Sequence, residues 1–189
     1  MEELKERTRP LHDQVEATLD SAALMRPDFS KEEYRLLLKR LWWAHNALEP
    51  SLEADENLNR QTGLTLEKRL GKRHLLEKDL ALLGVNAEEL EPVPPALLSD
   101  KEKWGALYVL EGSTLGGAMI HKKLREQKSQ SFPLNFYGAY GAETGMMWSS
   151  FRQVFTEKTT PYKEWCEEVV NGAEKAYHCF LKGAHQFPV

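Results

Sequence analysis

The stretch from Trp104 to Leu124 reads WGALYVLEGSTLGGAMIHKKL, and it decides the fold class of this chain. Its apolar residues recur at helical spacing, which predicts one buried helix. The same helix carries Gly112, Gly116 and Gly117, although three glycines in a helix interior cost about 2–3 kcal/mol relative to alanine. A helix that keeps them brings its backbone close to a neighbour. That neighbour is either a second helix or a flat ligand.

Four small residues of this helix fall on one stripe. The stripe comprises Gly105, Val109, Gly112 and Gly116, which lie within about 40° of one line at ~100° per residue. Ser113 lies on its shoulder. Two helices can pack closely along such a stripe, and a planar cofactor can lie against it, because glycine lets another group approach the backbone. Both interpretations remain open at this point.

The rest of the chain has the same helical spacing, and period-2 alternation bounded by turns is hard to find. Proline- and glycine-rich segments at 85–98 and 132–141 predict irregular connections. The sequence therefore predicts an all-α, single-domain bundle of about seven or eight helices over residues 1–189. The further helices are expected over Leu4–Leu19, from Ser30 to Pro50, over Thr65–Leu83, over Thr144–Phe155 and over Tyr162–Lys182.

Local signals place the helix ends. Ser30 followed by Glu33 is a capping box, and Ser99 followed by Glu102 is a second one, with Asp100 as an alternative cap. Each of these pairs predicts the beginning of a helix.

Glycine and proline add further boundaries. Gly84 is predicted to terminate the third helix at the C′ position. Pro50 is predicted to end the second helix, and Pro10 to lie in the first turn of its helix or to mark a kink. The basic residues around His74 are expected to form a solvated face; they are Lys68, Arg69, Lys72 and Arg73.

Composition limits the possible partners. The net charge of −4, with 41% hydrophobic and 29% charged residues, argues against nucleic acid. No apolar run approaches the roughly 20 residues that a membrane span needs. The charged start MEELKERTRPLHDQ argues against a signal peptide, and Cys166 and Cys179 are expected as reduced thiols. We therefore expect a cytoplasmic protein that binds neither membrane nor nucleic acid and needs no more than a monomer.

His12 is the first candidate ligand to a metal. Glu16, one turn later, can accept a hydrogen bond from one ring nitrogen and leave the other free to bind iron. Lys5 projects a positive charge from the same face, roughly 10 Å along the helix, where it suits a carboxylate. An imidazole, a flat slot and a cation together suit haem. An ordinary boundary histidine is the alternative.

Other sequence motifs for metal, phosphate or nucleophile sites are absent, and His45 has a structural interpretation. Paired HxxxH and ExxH spacings do not occur, nor do GxGxxG or GxxxxGK[ST] loops. The sequence around Ser113 lacks the second glycine of a GxSxG nucleophile elbow. His45 lies inside an apolar face and is expected as a hydrogen-bonded core residue.

Several segments, in order, resemble the haem oxygenases. LKERTRPLHDQVE at 4–16 and LMR at 24–26 resemble their proximal helix, and LEGSTLGG at 110–117 resembles their glycine-rich distal helix. DLALLG at 79–84 and FYGAYGAETGMMWSSF at 136–151 are similar to the bacterial branch, which includes enzymes paired with bacteriophytochromes. The resemblance covers roughly residues 4–185.

The resemblance implies an all-α fold that holds haem between two helices. It also implies oxidative opening of haem to biliverdin, carbon monoxide and ferrous iron, with dioxygen and reducing equivalents from an external electron-donor protein or reductant. Haem would be both cofactor and substrate, and the protein would supply position and exclude side reactions.

The resemblance also assigns residues. His12 would be the axial ligand and Glu16 its hydrogen-bond acceptor, while Lys5 would pair with a propionate. Weaker candidates for the propionates are Arg152, Lys122 and Lys123. The distal backbone would lean over the haem at Gly112, Gly116 and Gly117, and the residues assigned to catalysis are Ser113, Gly112 and Gly116.

One position departs from the animal-type pattern. Ser113 stands where those enzymes carry a distal aspartate, and the neighbouring Glu111 is expected to point elsewhere. Two alternatives to a haem oxygenase follow. One is a non-catalytic haem-binding or haem-transfer protein on the same scaffold, and the other is an enzyme of the thiaminase-like fold whose pocket does not bind haem.

Overall fold

The computed structural model describes residues 1–126, 131–159 and 165–188. Within these ranges the chain is helical and has no strand, which confirms the all-α prediction. Short 3-10 helices occupy Ser21–Met25, Ala87–Glu89 and Gly141–Glu143. The α-helices are α1 (Glu2–Leu19), α2 (Lys31–Glu53), α3 (Glu56–Asn59), α4 (Leu66–Arg69), α5 (Lys72–Leu82), α6 (Asp100–Glu126), α7 (Thr144–Thr159) and α8 (Trp165–Gln186).

Helix α8 lies at the centre of the arrangement. Helices α1, α2 and α6 all pack against it, α5 packs on α2, and α7 packs on α6. In contrast, α1 and α6 scarcely touch each other. The buried apolar side chains of these helices form one hydrophobic cluster. No described helix combines the length and the apolar character that crossing a membrane requires.

Both predicted capping boxes are confirmed. The amide of Glu33 donates to Ser30 Oγ at 3.2 Å and the amide of Ser30 donates to the Glu33 carboxylate at 2.8 Å. Ser99 and Glu102 make the same reciprocal pair at 3.3 and 2.8 Å. These bonds satisfy amides that the first turn of a helix leaves free.

The end of α5 is also as predicted. Gly84 has φ +77°, and its amide donates to the Ala81 carbonyl at 3.0 Å. The amide of Val85 donates to the Leu80 carbonyl at 2.9 Å, which completes a Schellman motif. The segment after it, 85–98, is irregular apart from one 3-10 turn, as expected.

The single helix predicted over Thr65–Leu83 is wrong. The chain forms α4 and α5 instead, with a break at Gly71, whose φ is +81°. The reason lies on α2, where the Glu49 carboxylate accepts the amides of Gly71 at 2.8 Å and of Arg73 at 3.3 Å. This buried carboxylate caps α5 from another helix, so the local sequence does not reveal it.

The prediction that Pro50 ends the second helix is wrong as well. Helix α2 continues to Glu53, and the Ala54 amide donates to the Pro50 carbonyl at 3.2 Å. Proline removes only its own donor, so later residues continue the helical bonding. Pro10 likewise lies in the interior of α1 rather than in its first turn.

Two residues expected on a solvated face are buried. Arg69 and Lys72 are 1% and 4% exposed, whereas Lys68 is exposed as predicted. Both buried cations pair with Glu111 of α6, a partner that is remote in sequence. The helix predicted over Tyr162–Lys182 is observed as α8, and its predicted residues 162–164 lie outside the described ranges.

Glycine determines how closely α6 and α8 approach. A Cβ atom on Gly105 would overlap the Val169 carbonyl oxygen, and one on Gly172 would overlap the Glu102 carbonyl oxygen. We expect Gly105→Ala to destabilise the protein by about 3 kcal/mol, the upper part of the overpacking range, because backbone must move to make room. Urea unfolding followed by circular dichroism measures this. An unfolding midpoint equal to that of the wild type would contradict the close crossing.

Candidate functional site

Helix α1 presents its candidate ligand from a well-packed face. Leu4, Thr8, Val15 and Leu19 are buried, so α1 is held on α8 along this stripe. The buried Thr8 hydroxyl has a hydrogen-bond partner within the helix, because it donates to the Leu4 carbonyl at 2.8 Å. His12 lies at the edge of the stripe, and half of its side chain (50%) stays exposed. A histidine in this position is anchored by its helix but accessible to a ligand.

Two carboxylates flank the His12 ring. Nδ1 lies 3.4 Å from Asp13 Oδ1, and Nε2 lies 3.7 Å from Glu16 Oε1, which is too long for a hydrogen bond. The donor atoms of these three side chains lie within 4.8 Å of one another, and no other such group occurs among the described residues. Asp13 was not predicted, because neighbours in sequence do not normally face each other on a helix.

The glycine stripe of α6 has two parts with different neighbours. At Gly105 it is packed directly against the α8 backbone. A Cβ on Gly112 would meet only the Trp148 ring, at 3.9 Å, and a Cβ on Gly116 would meet nothing within 4 Å. Helix packing therefore explains Gly105, and it does not explain Gly112 or Gly116.

The open part of the stripe is bordered by apolar side chains. Leu115 is 39% exposed and Met119 is 69% exposed, on the same turns as Gly116. Exposed apolar groups beside an uncovered backbone are typical of a surface that binds a ligand. We call residues 112–116 the roof segment.

Aromatic side chains lie beside His12 and beside the roof segment. The Tyr177 ring of α8 meets the His12 ring edge-on, with centroids 6.2 Å apart. On α6, Tyr108 packs on Trp148 at 6.1 Å, and Trp148 approaches Gly112. We call the region formed by His12, Tyr177, Tyr108 and the roof segment the slot.

The two tyrosines of the slot are neutral. Burial, followed by the nearby Tyr108, raises the pKa of Tyr177 to about 12. Burial also raises the pKa of Tyr108, with a smaller contribution from the Glu2 carboxylate. Both phenols therefore keep their protons at neutral pH and can donate hydrogen bonds.

Other predicted site residues are placed differently. Gly117 is buried on another face of α6, where its Cβ position lies 3.4 Å from the Tyr137 ring. Ser113 is exposed, and its hydroxyl donates to the Leu110 carbonyl of its own helix at 2.8 Å. Lys5 and Glu16 are exposed on α1 with His12, while Arg152 is exposed on α7. Glu111 points away from the slot into the core, as expected.

The fold and the slot define an all-helical protein with a half-exposed histidine on α1 and an uncovered glycine segment on α6, each beside aromatic side chains. The family model for heme oxygenase matches residues 1–103, more than half of the chain. The chain belongs to the haem oxygenase family. The matched residues include His12 and end before the roof segment.

Two known proteins are similar to this chain. A heme oxygenase from Xanthomonas campestris pv. campestris (strain 8004) is 34% identical over 83 residues, which is 44% of this chain and 49% of that protein. The chain therefore matches about half the length of this relative. The NO- and CO-bound heme oxygenase from Neisseria meningitidis has the same fold, with a TM-score of 0.80 and 23% identity over 98% of this chain and 90% of the other.

Proposed function

We propose that this chain is a haem oxygenase that binds haem in the slot and opens it to biliverdin, carbon monoxide and ferrous iron. Dioxygen and electrons from an external donor protein or reductant are the co-reactants. Family membership supports this function. The observation that carries it is the uncovered backbone at Gly116, where a Cβ would meet nothing within 4 Å, together with the half-exposed His12 that contacts Tyr177.

The residues of the slot fit haem. A flat macrocycle can lie against backbone only where no Cβ intervenes, and a Cβ on Gly116 would meet no protein atom within 4 Å. An axial ligand must be accessible, and half of the His12 side chain is exposed, with Nε2 outside hydrogen-bond distance of Glu16. Apolar Leu115 and Met119 at the same edge suit the apolar face of the ring.

Each side chain then has a role in binding. His12 would hold the iron through one ring nitrogen, and the Asp13 or Glu16 carboxylate would accept the hydrogen of the other, which fixes the tautomer. Lys5 would pair with a propionate from the same face of α1, and Arg152 is the more remote candidate. Bound haem supplies the redox-active iron and is itself the carbon skeleton that is oxidised.

The roof segment would control access to the haem. Gly112 and Gly116 would let the backbone lie close to bound haem, which would restrict how small molecules bind beside it. Ser113 lies beside them and must release the Leu110 carbonyl before its hydroxyl can bond a ligand or a water molecule. Gly117 would act indirectly, by letting Tyr137 pack against α6.

We further propose that residues 1–189 form a single domain and that the protein works as a cytosolic monomer. Cys166 and Cys179 are free thiols, and Cys179 is buried, which is typical of proteins from reducing compartments.

Hemin titration tests the proposed function directly. We expect a one-to-one complex with the Soret band of a histidine-ligated haem, which loses that band and gains the biliverdin spectrum when a reductant is added in air with catalase present. A stable complex without biliverdin would contradict the oxygenase and indicate a haem carrier. Absence of a complex would refute both haem functions and favour the thiaminase-like alternative.

A further inference from the structure

A buried ionic cluster lies directly behind the roof segment. Glu111 of α6 is fully buried and forms an ion pair with Arg69. Its other carboxylate oxygen accepts from Lys72 Nζ at 3.1 Å and from the Tyr140 hydroxyl at 2.6 Å. Glu111 is adjacent in sequence to Gly112, so its side chain is fixed one residue from the open backbone.

The cluster joins four further parts of the fold to α6. Arg69 is the last residue of α4, and it also donates to the Met147 carbonyl of α7 at 3.0 Å and to Ser150 Oγ at 2.8 Å. Lys72 lies at the beginning of α5, and Tyr140 ends the aromatic loop 132–140. Burial and the Glu111 carboxylate raise the pKa of Tyr140, so its phenol remains a donor. All groups around Glu111 therefore hold it in one place.

The loop that carries Tyr140 is fixed independently. The buried Asp79 carboxylate accepts the amides of Asn135 at 3.0 Å and of Phe136 at 2.9 Å. The Tyr34 hydroxyl donates to the Pro133 carbonyl at 2.7 Å. The cluster thus connects α6 to a rigid frame rather than to a free loop.

Stability alone does not account for such a cluster. Well-packed apolar residues often replace a buried ion pair with a neutral or favourable change of about 1–4 kcal/mol. An ionic cluster does fix the relative orientation of the groups that it joins, because each of its hydrogen bonds requires a defined geometry. The roof segment needs such orienting bonds, because Gly112 and Gly116 have no side chains that could fix the rotation of α6 by packing. The Ser113 and Thr114 hydroxyls also compete for the Leu110 and Glu111 carbonyls, which loosens helices.

We propose that Glu111, held by Arg69, Lys72 and Tyr140, is a positioning residue that fixes the rotation of the roof segment over the haem. The inference rests on the proposed function, since the position of the roof matters for catalysis only when the slot holds haem. Glu111 touches no ligand and acts through the backbone of Gly112. The sequence alone indicates only that Glu111 points elsewhere, because its three partners lie on other elements.

Hydrogen exchange of the apoprotein tests the positioning without haem. We expect Glu111→Gln and the milder Tyr140→Phe to raise amide exchange in 112–117 on the order of tenfold, with α8 unchanged. The matched control is Asp55→Asn, which breaks the 2.6 Å ion pair with Lys103 near the beginning of the same helix. Equal exchange in 112–117 for wild type and Tyr140→Phe, or an equal rise in the control, would overturn the proposal.

Haem-loaded protein gives the second readout. We expect Tyr140→Phe to keep the Soret position, because His12 is untouched, while biliverdin formation slows on the order of tenfold and the ratio of biliverdin isomers changes. Asp55→Asn should keep the wild-type isomer ratio. An unchanged ratio in Tyr140→Phe would overturn the role in positioning. Failure of the wild type to bind hemin would refute the proposed function and leave the exchange result standing.

Discussion

His12→Ala is expected to abolish the histidine-ligated Soret spectrum and to reduce biliverdin formation to background. Loss of a partner that only orients a ligand typically lowers metal affinity by about 10- to 100-fold, so loss of the ligand itself should lower haem affinity by at least about 100-fold. The fold should persist, because half of the His12 side chain is exposed and its neighbours on α1 remain packed. Hemin titration followed by absorbance measures both effects.

His74→Ala is the matched control. His74 is also an exposed histidine beside a carboxylate, with Nδ1 2.9 Å from Glu77, but it lies on α5 outside the slot. This variant should bind hemin like the wild type. Added imidazole should restore a histidine-like spectrum to His12→Ala, because the vacated space can admit it. A histidine-ligated spectrum in His12→Ala without imidazole would show that another residue binds the iron.

Gly116→Leu is expected to weaken haem binding while leaving the apoprotein folded. The leucine side chain would occupy the space that is open above Gly116, and overlap of this kind costs about 1–3 kcal/mol. That range corresponds to roughly 5- to 150-fold weaker hemin binding. The melting temperature of the apoprotein should not fall, because replacing glycine in a helix interior is favourable by roughly 0.5–1 kcal/mol.

The control for this variant is Arg125→Leu, which adds the same side chain to an exposed position of α6 roughly 180° from Gly116. It should leave hemin affinity unchanged. The contrast with Gly105→Ala is equally informative, because that change should lower stability. If Gly116→Leu bound hemin like the wild type, the open glycine would not be the haem surface.

Much of the fold was predictable because its determinants are local. The capping boxes at Ser30 and Ser99 and the glycine at position 84 act within a few residues of themselves, so the sequence places them correctly. The break at Gly71 was not predictable, since Glu49 on another helix caps α5 there. The burial of Arg69 also depends on a remote partner, Glu111.

The candidate site was predictable in part. His12 stood out because a histidine on a helix edge beside Glu16 has a recognisable spacing, and the structure keeps it half exposed. Tyr108 and Tyr177 were missed, because their place beside the slot depends on how α1, α6 and α8 meet. Asp13 was missed because neighbours in sequence do not normally face each other on a helix. An aromatic residue at helical spacing normally indicates core, so no local signal distinguished these two tyrosines.

The glycines of Trp104–Leu124 show where sequence stops and tertiary structure begins. The sequence by itself determined that this segment is helical, that its small residues share one stripe, and that a backbone must be approached closely there, because periodicity and glycine chemistry are local. Only the tertiary structure decided that α8 fills the stripe at Gly105 and leaves it open at Gly112 and Gly116. The physical reason is that a glycine specifies the absence of a side chain, whereas the group that occupies the space comes from an element elsewhere in the chain or from a ligand.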